Sequence, residues 1–353
     1  MKKILVSLIA LVGALSASAQ LSDGMTATLQ AGETTTVFYG NDAFKDAIAA
    51  APADAVATIT LSPGSFSNPG NVSKSIKVYG AGFQPDPVKN IGITSIQGDF
   101  NIVSTADATP IVRLEGIYVV GHLVMSGPQT ISETEIVKCC FGGYYNRAET
   151  YNTIIRQSYI REGVWGENKK AELFLVANCY VGNNIRNFGA SSSVQVVHCV
   201  LAVNYTGWYS GHTHGPYTYK GNIFNQSDDS YGYVESGATC YYNVGVEKVF
   251  SHNSTNISEN NYDIAVWTDW KTFFADGQDD MNYNDADGKP RTWVLADPTK
   301  YVDSDGTPCG VTGGDFPWNP IPATPRIYET SVDAKSEAGK LKVTIKAEAR
   351  PIE

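Results

Sequence analysis

Between about residues 110 and 250 the chain repeats one short pattern every 18–23 residues. The segments are LEGIYV from Leu114, VKCCFG from Val137, IRQSYI from Ile155, VANCYV from Val176, VVHCVL from Val196 and YKGNIF from Tyr219. Each is a short apolar run, a small or polar residue, and a second short run. A period of this size specifies a solenoid, because one unit cannot bury its apolar face alone and must stack on its neighbours. The runs are β-branched and aromatic, alternate every two residues and are punctuated by Gly and Asn, so the coils are built of strands. No apolar stripe of helical period and useful length competes with them. Parallel stacking then sets equivalent positions above one another at about 4.8 Å. Anchored on Cys140, those positions are Ile117, Ser158, Cys179, Cys199 and Asn222, with Asn243 one coil further. They predict an inward column of small groups in which free cysteine acts as a small hydrophobe. Packing is thus the expected reason for most of the six Cys, with a disulfide inside the column left open.

Either side of the column, two outward rows are expected. One reads Glu115, Lys138, Arg156, Ala177, Val197, Lys220; the other reads Tyr118, Phe141, Tyr159, Tyr180, Val200, Ile223. The aromatic row either stacks on sugar rings or packs beneath loops, and the second is favoured because large exposed apolar patches are uncommon.

The start of the chain reads DAFKDAIAAAPADAVATITLSPGSF, followed by SIKVYGAGFQPDP and GITSIQGDFNIV. It resembles the opening of right-handed parallel β-helix proteins of the pectin-lyase-like superfamily. The resemblance implies a short capping helix with Phe44, Ala47, Ile48 and Ala51 on its buried face, and a first coil carrying Ile59, Leu61, Pro63, Gly64 and Phe66. An exposed first coil is an open edge, so a cap is also what physics requires. The closing stretch, with Asp303, Asp305, Gly306, Gly310, Gly313 and Gly314, resembles the exit turn of secreted β-helix proteins of Bacteroidetes-type bacteria. The expected fold is therefore all-β, a right-handed parallel β-helix with a short N-terminal capping helix and a C-terminal β-hairpin. The expected divisions are a signal peptide at 1–19, a cap region at 20–58, the β-helix with closing loops at 59–316, and a Pro-rich linker with a hairpin at 317–353.

Lys2 and Lys3, the apolar run Ile4–Leu15 and Ala17-Ser18-Ala19 have the form of an export signal cleaved after Ala19. Without a Cys at that point a lipoprotein anchor is not expected, and no stretch is long and apolar enough to span a bilayer. The expectation is a periplasmic or extracellular protein. Its formal net charge of −10 excludes a general nucleic-acid binder, which needs a basic footprint. Only residues 130–190 balance differently, with seven basic against six acidic side chains. They are the one stretch where an anionic sugar would find a favourable field, although the acids nearby suffice as ordinary partners.

The loops after the coil strands are polar and aromatic, and stacking lines them up as a groove. Tyr144, Tyr145, Trp165, Asn183, Asn204, Trp208, His214 and Asp228 are the candidate substrate-binding residues, since flat rings with polar tips suit sugars. Arg161, Glu162, Arg186 and His212 are the candidate catalytic residues, with Arg or His as base and Glu162 as acid or ligand. His212 and His214 are spaced to face one way on a strand but lack a third metal ligand. Asp279–Gly288 is rich in oxygen ligands but has no Gly at the sixth position of a calcium loop, and turn chemistry accounts for it as well. No cofactor is assigned; Ca is the one left open.

What the resemblance implies about activity is not met by the residues. A polysaccharide lyase on this fold uses acidic calcium ligands and an Arg or Lys base, and a glycosidase needs paired carboxylates. The chain has no Asp between Asp107 and Asp228. The favoured expectation is a non-catalytic exported protein that binds an extended polysaccharide or cell-surface glycan. An atypical polysaccharide lyase or glycoside hydrolase, and a structural surface module, are the alternatives. Oligomeric state is not legible.

Overall fold

The computed structural model describes residues 24–86, 89, 91–202, 216–224, 234–251, 254–264, 270–277, 291–323, 325–332 and 343–348. Three sheets run up the stack, and each coil contributes a strand to two or three of them. Among the described residues the first sheet holds 12 strands, the second 10 and the third 6. One coil shows the plan: Ile131–Val137 lies in the first sheet, Cys140–Phe141 in the second and Tyr144–Asn146 in the third. Each strand pairs in parallel with its equivalent in the next coil, so Ile136 meets Ile155, Cys140 meets Tyr159 and Tyr144 meets Val164. This is the parallel β-solenoid that the repeat predicts.

The stack is closed at its start. The helix Ala43–Ala50 buries Ala43, Phe44, Ala47 and Ile48, the face expected of a cap. Two strands the periodicity did not reveal extend the first sheet: Thr26–Ala31 pairs antiparallel to Ala57–Leu61, and Thr34–Tyr39 pairs antiparallel to Thr26–Ala31. They cover the open hydrogen-bonding edge of the first coil and leave Thr34–Tyr39, an exposed strand that opens with three threonines, at the end of the sheet.

Strand pairing corrects the column by one residue. Val137, Arg156, Ala177, Val197, Lys220, Tyr241 and Glu259 are in register. Two residues beyond them lie Cys139, Ser158, Cys179, Cys199, Asn222, Asn243 and Asn261. Cys139, not Cys140, is therefore the inward group, and Cys140 belongs to the outward row with Tyr118, Tyr159, Tyr180 and Val200. Val137 likewise replaces Lys138 in its row. All six cysteines are free and buried. Burial pushes the thiols of Cys139, Cys140, Cys240 and Cys309 up to about 12, so they serve as packing groups and not as nucleophiles.

Between the two rows sits a corner with left-handed backbone. Lys138, Gln157, Asn178, His198 and Tyr242 occupy it with φ of 51°, 50°, 50°, 48° and 54°. Such a conformation costs a non-glycine residue about 1–2 kcal/mol. The side chains of three of them answer it by docking the exit segment, residues 302–323, to the outside of the stack. His198 Nδ1 lies 3.2 Å from Pro308 O. Asn178 Nδ2 donates to Val311 O (2.9 Å) and Gly313 O (2.6 Å), and Gln157 Nε2 donates to Pro317 O (2.7 Å). Further back, the Ala323 N–H donates to Glu115 Oε1 (2.9 Å). The segment is a strap that descends the coils towards their start. Its Pro-rich part, expected as a linker, is held along the solenoid. Beyond it, Arg326–Val332 and Val343–Glu348 form the expected antiparallel hairpin.

The strap and the segment before it also cover the aromatic row. Tyr159 and Tyr180 stack at 4.6 Å, and Trp293 stacks on Tyr180 at 4.9 Å. Cys309 and Val311 complete this second core. That row is thus a packing surface, the favoured of its two readings.

Candidate functional site

On the third sheet the structure lines up three of the residues expected of the groove. Tyr145, Trp165 and Arg186 follow one another in register on three successive coils. The Tyr145 and Trp165 rings are 4.7 Å apart and tilted by 31°. Arg147 caps the Tyr145 ring at 5.2 Å, and His122 meets its edge at 5.2 Å. Glycine allows this. A Cβ on Gly143 would lie 2.3 Å from Trp165 Cζ3, and one on Gly163 would lie 3.0 Å from Cζ2. The indole lies against bare backbone in the turns that lead into the sheet.

His122 is held from two sides. Its backbone N–H donates to Asp99 Oδ1 (2.9 Å), and its Nδ1 accepts the Gly143 N–H (3.0 Å). In the neutral ring the proton therefore sits on Nε2. The Glu162 carboxylate stands 3.9 Å from Nδ1 and is 49 % exposed. Neither Asp99 nor His122 was marked by the sequence. A signal existed: GHLV repeats the turn position that GGYY occupies one coil later.

The other predicted residues divide. Asn183 lies in the same row of turns, its Oδ1 accepting the Asn184 N–H (2.9 Å). Arg161 is turned to the opposite side. It sits over the Tyr118 ring at 5.3 Å and donates to Val120 O, which makes it a clamp between coils and takes it from the groove. Tyr144 is a correction: it is 0 % exposed, its hydroxyl donates to Asn146 Oδ1 (3.0 Å), and its ring packs edge-on against Phe174. It points into the core and offers no surface to a ligand. Asn204, Trp208, His212, His214 and Asp228 lie outside the described residues, as do the signal segment and the calcium-like stretch 279–288.

At the end of the row, beside Arg186, is an acid the sequence did not mark. Glu235 is 7 % exposed and accepts the Asn187 N–H at 3.4 Å. Burial drives its carboxyl from 4.5 up to about 7, against the opposing pull of Tyr217, the Asn187 N–H and the Arg186 charge. The folded state therefore binds this proton more tightly than the unfolded chain does. Stability from this group is complete below pH 4.5 and is lost as pH rises towards 7. The loss amounts to about 3 kcal/mol. Urea unfolding at pH 5 and pH 8 is expected to show most of that loss in the native protein and its disappearance in Glu235→Gln. Parallel pH profiles for the two proteins would refute the assignment.

Elsewhere the charges are spent on one another. Arg113 pairs with Glu115 (2.7 Å) and Glu135, and Arg156 also reaches Glu135 (3.3 Å). Lys170 pairs with Glu172. Among the described residues, His198, Asp303 and Asp305 form the one group with the ligand types and spacing for a metal. There Lys220 Nζ already stands 3.1 Å from Asp303 Oδ2, where a cation would act, and His198 Nε2 stands 3.0 Å from the same oxygen. The cluster reads as a latch that holds the strap.

No family model, no curated protein and no solved structure matches the chain. No helix among the described residues is long and apolar enough to cross a membrane.

Proposed function

We propose that this protein binds an extended polysaccharide or cell-surface glycan along the Tyr145–Trp165–Arg186 row, without cleaving it, as an exported β-helix of the pectin-lyase-like kind. The observation that carries the reading is two half-buried aromatic rings on consecutive coils, flanked by Arg147, Arg186, Glu162 and Asn183. Rings present apolar surface to sugar C–H faces while the flanking groups take hydroxyls. The non-catalytic part rests on partners. Arg161, one of the candidate bases, is spent on Tyr118 and Val120, and Asp99 is spent on the His122 N–H. One observation favours the enzymatic alternative: Glu235, protonated near neutrality beside Arg186, has the property of a general acid.

A polysaccharide panel assayed for retention and for new reducing or unsaturated ends separates these. The expected result is retention without product, weakened about tenfold by Trp165→Ala, the worth of one lost ring contact. Product formation would replace the binding reading with the enzymatic one. Retention that ignores Trp165 would remove the row from the argument.

A further inference from the structure

Away from that row, a cavity of about 470 Å³ lies over the first sheet. It spans four successive coils, from Lys77 and Tyr79 through Arg113 and Glu133 to Asn152, and the strap walls it with Ala323 and Pro325. We propose that this cavity is a second binding site, separate from the aromatic row, and that it takes a short neutral oligosaccharide.

Size is within the range of preformed ligand sites. Charge chooses the class. Arg113 is neutralised by Glu115 and Glu135, Glu135 also holds Arg156, and Glu115 also accepts the strap's Ala323 N–H. The floor is thus a balanced network, and at the rim the exposed Glu133 is matched by the exposed Lys77, so no surplus of positive charge is left to attract a polyanion. Hydrogen-bonding capacity nevertheless remains. Arg113 uses its terminal nitrogens on the two acids, and its Nε–H is buried without an acceptor. A buried donor of that kind is costly to leave unmade, and a ligand oxygen would satisfy it. Glu133 and Asn152, joined by a 2.7 Å hydrogen bond, set a carboxylate beside an amide on adjacent coils. Side-by-side donors and acceptors fit vicinal hydroxyls, which both give and receive. Tyr79, Ile154 and Pro325 supply apolar walls for the C–H faces of the rings. The strap completes the site, so the site exists only when the strap is docked.

Calorimetric titration of the full chain with cellotriose, maltotriose, xylotriose, mannotriose and trigalacturonate tests the proposal. At least one neutral trisaccharide is expected to bind, with affinity reduced about tenfold in Tyr79→Ala and in Glu133→Ala but unchanged in Trp165→Ala. Circular dichroism and the unfolding midpoint identify any variant that has lost its fold, and Lys77→Ala, on an exposed side chain, serves as a further probe of the same wall. Absence of binding by every neutral trisaccharide, preference for trigalacturonate, or binding sensitive to Trp165 and indifferent to Tyr79 would overturn it. The last of these outcomes would leave the aromatic row standing, and loss of the row would leave the cavity standing.

Discussion

Asp303→Ala is expected to destabilise the protein by about 3 kcal/mol and to release the strap from the corner column. The Asp303 side chain is 0 % exposed and receives Lys220 Nζ at 3.1 Å and His198 Nε2 at 3.0 Å. The other nitrogen of His198 faces a carbonyl, Pro308 O. The latch therefore sets the Lys220 ammonium and the His198 imidazole on one buried carboxylate. Removing one partner of a buried pair leaves charge without compensation, and the usual cost is about 3–5 kcal/mol. The low end applies because Lys220, 37 % exposed, can turn to water. Asp303→Asn keeps the shape and an acceptor, and should cost less. Lys220→Ala should cost less again, as expected for a half-exposed partner. The same variant should expose the aromatic row, since Cys309 and Val311 lie on it. Hydrogen exchange reads this locally: the Gly310 N–H, bonded to Gly221 O (2.7 Å), and the Trp318 N–H, bonded to Val311 O (2.7 Å), should lose protection before the coil strands do. An unchanged urea midpoint, or strap amides that stay protected, would show that the latch holds nothing.

The sequence carried the coils well because a solenoid repeats its constraints. The same position in each coil meets the same neighbours, so small residues at Ser158, Cys179 and Cys199 and apolar residues around them announce the stack. It failed by one residue at Cys139-Cys140, where two identical neighbours give no clue to which faces inward; the pairing of Val137 with Arg156 decides it. Tyr144 and Tyr145 pose the same problem. A two-residue turn separates the second sheet from the third, and the parity of alternation cannot be followed across it. Trp165 and Arg186 were legible because each is the lone large side chain at the end of its strand. The strap's docking was not legible at all. Asn178, Gln157 and His198 look like ordinary turn residues, and their partners lie 133–135, 160 and 110 residues away. Glu235 was hidden for the same reason: what shifts it is burial beside Arg186 and Tyr217, and burial of an isolated acid leaves no mark in local pattern.

Asn243→Ala should rank with Asp303→Ala among single substitutions, at about 3–4 kcal/mol, although the residue touches no charge. In the later coils the inward column changes from thiols to amides, and the amides bond to one another. Asn222 Nδ2 donates to Asn243 Oδ1 (2.9 Å), and Asn243 Nδ2 donates to Asn261 Oδ1 (3.0 Å). The same Asn243 oxygen accepts the Asn222 backbone N–H (3.0 Å), and its Nδ2 also reaches Tyr219 O (3.0 Å). Asn243 is 0 % exposed. Alanine would leave a backbone N–H, an amide N–H and a carbonyl in the core with no water to replace the lost partner, each at about 1–3 kcal/mol before relaxation. The thiol part of the column behaves differently. Cys199 Sγ donates only weakly, to Val197 O (3.3 Å) and to Val176 O of the preceding coil (3.5 Å), because a thiol is a poor donor beside an amide. Cys199→Ala should therefore cost about 1–2 kcal/mol, the loss of a small buried group. Urea unfolding of both variants compares the two halves of one column in one fold. If Asn243→Ala costs no more than Cys199→Ala, the amides are merely space-fillers and the ladder contributes nothing. If the ladder acts as a chain, Asn222→Ala combined with Asn243→Ala should cost less than the two singles added, because either break already disconnects the link they share.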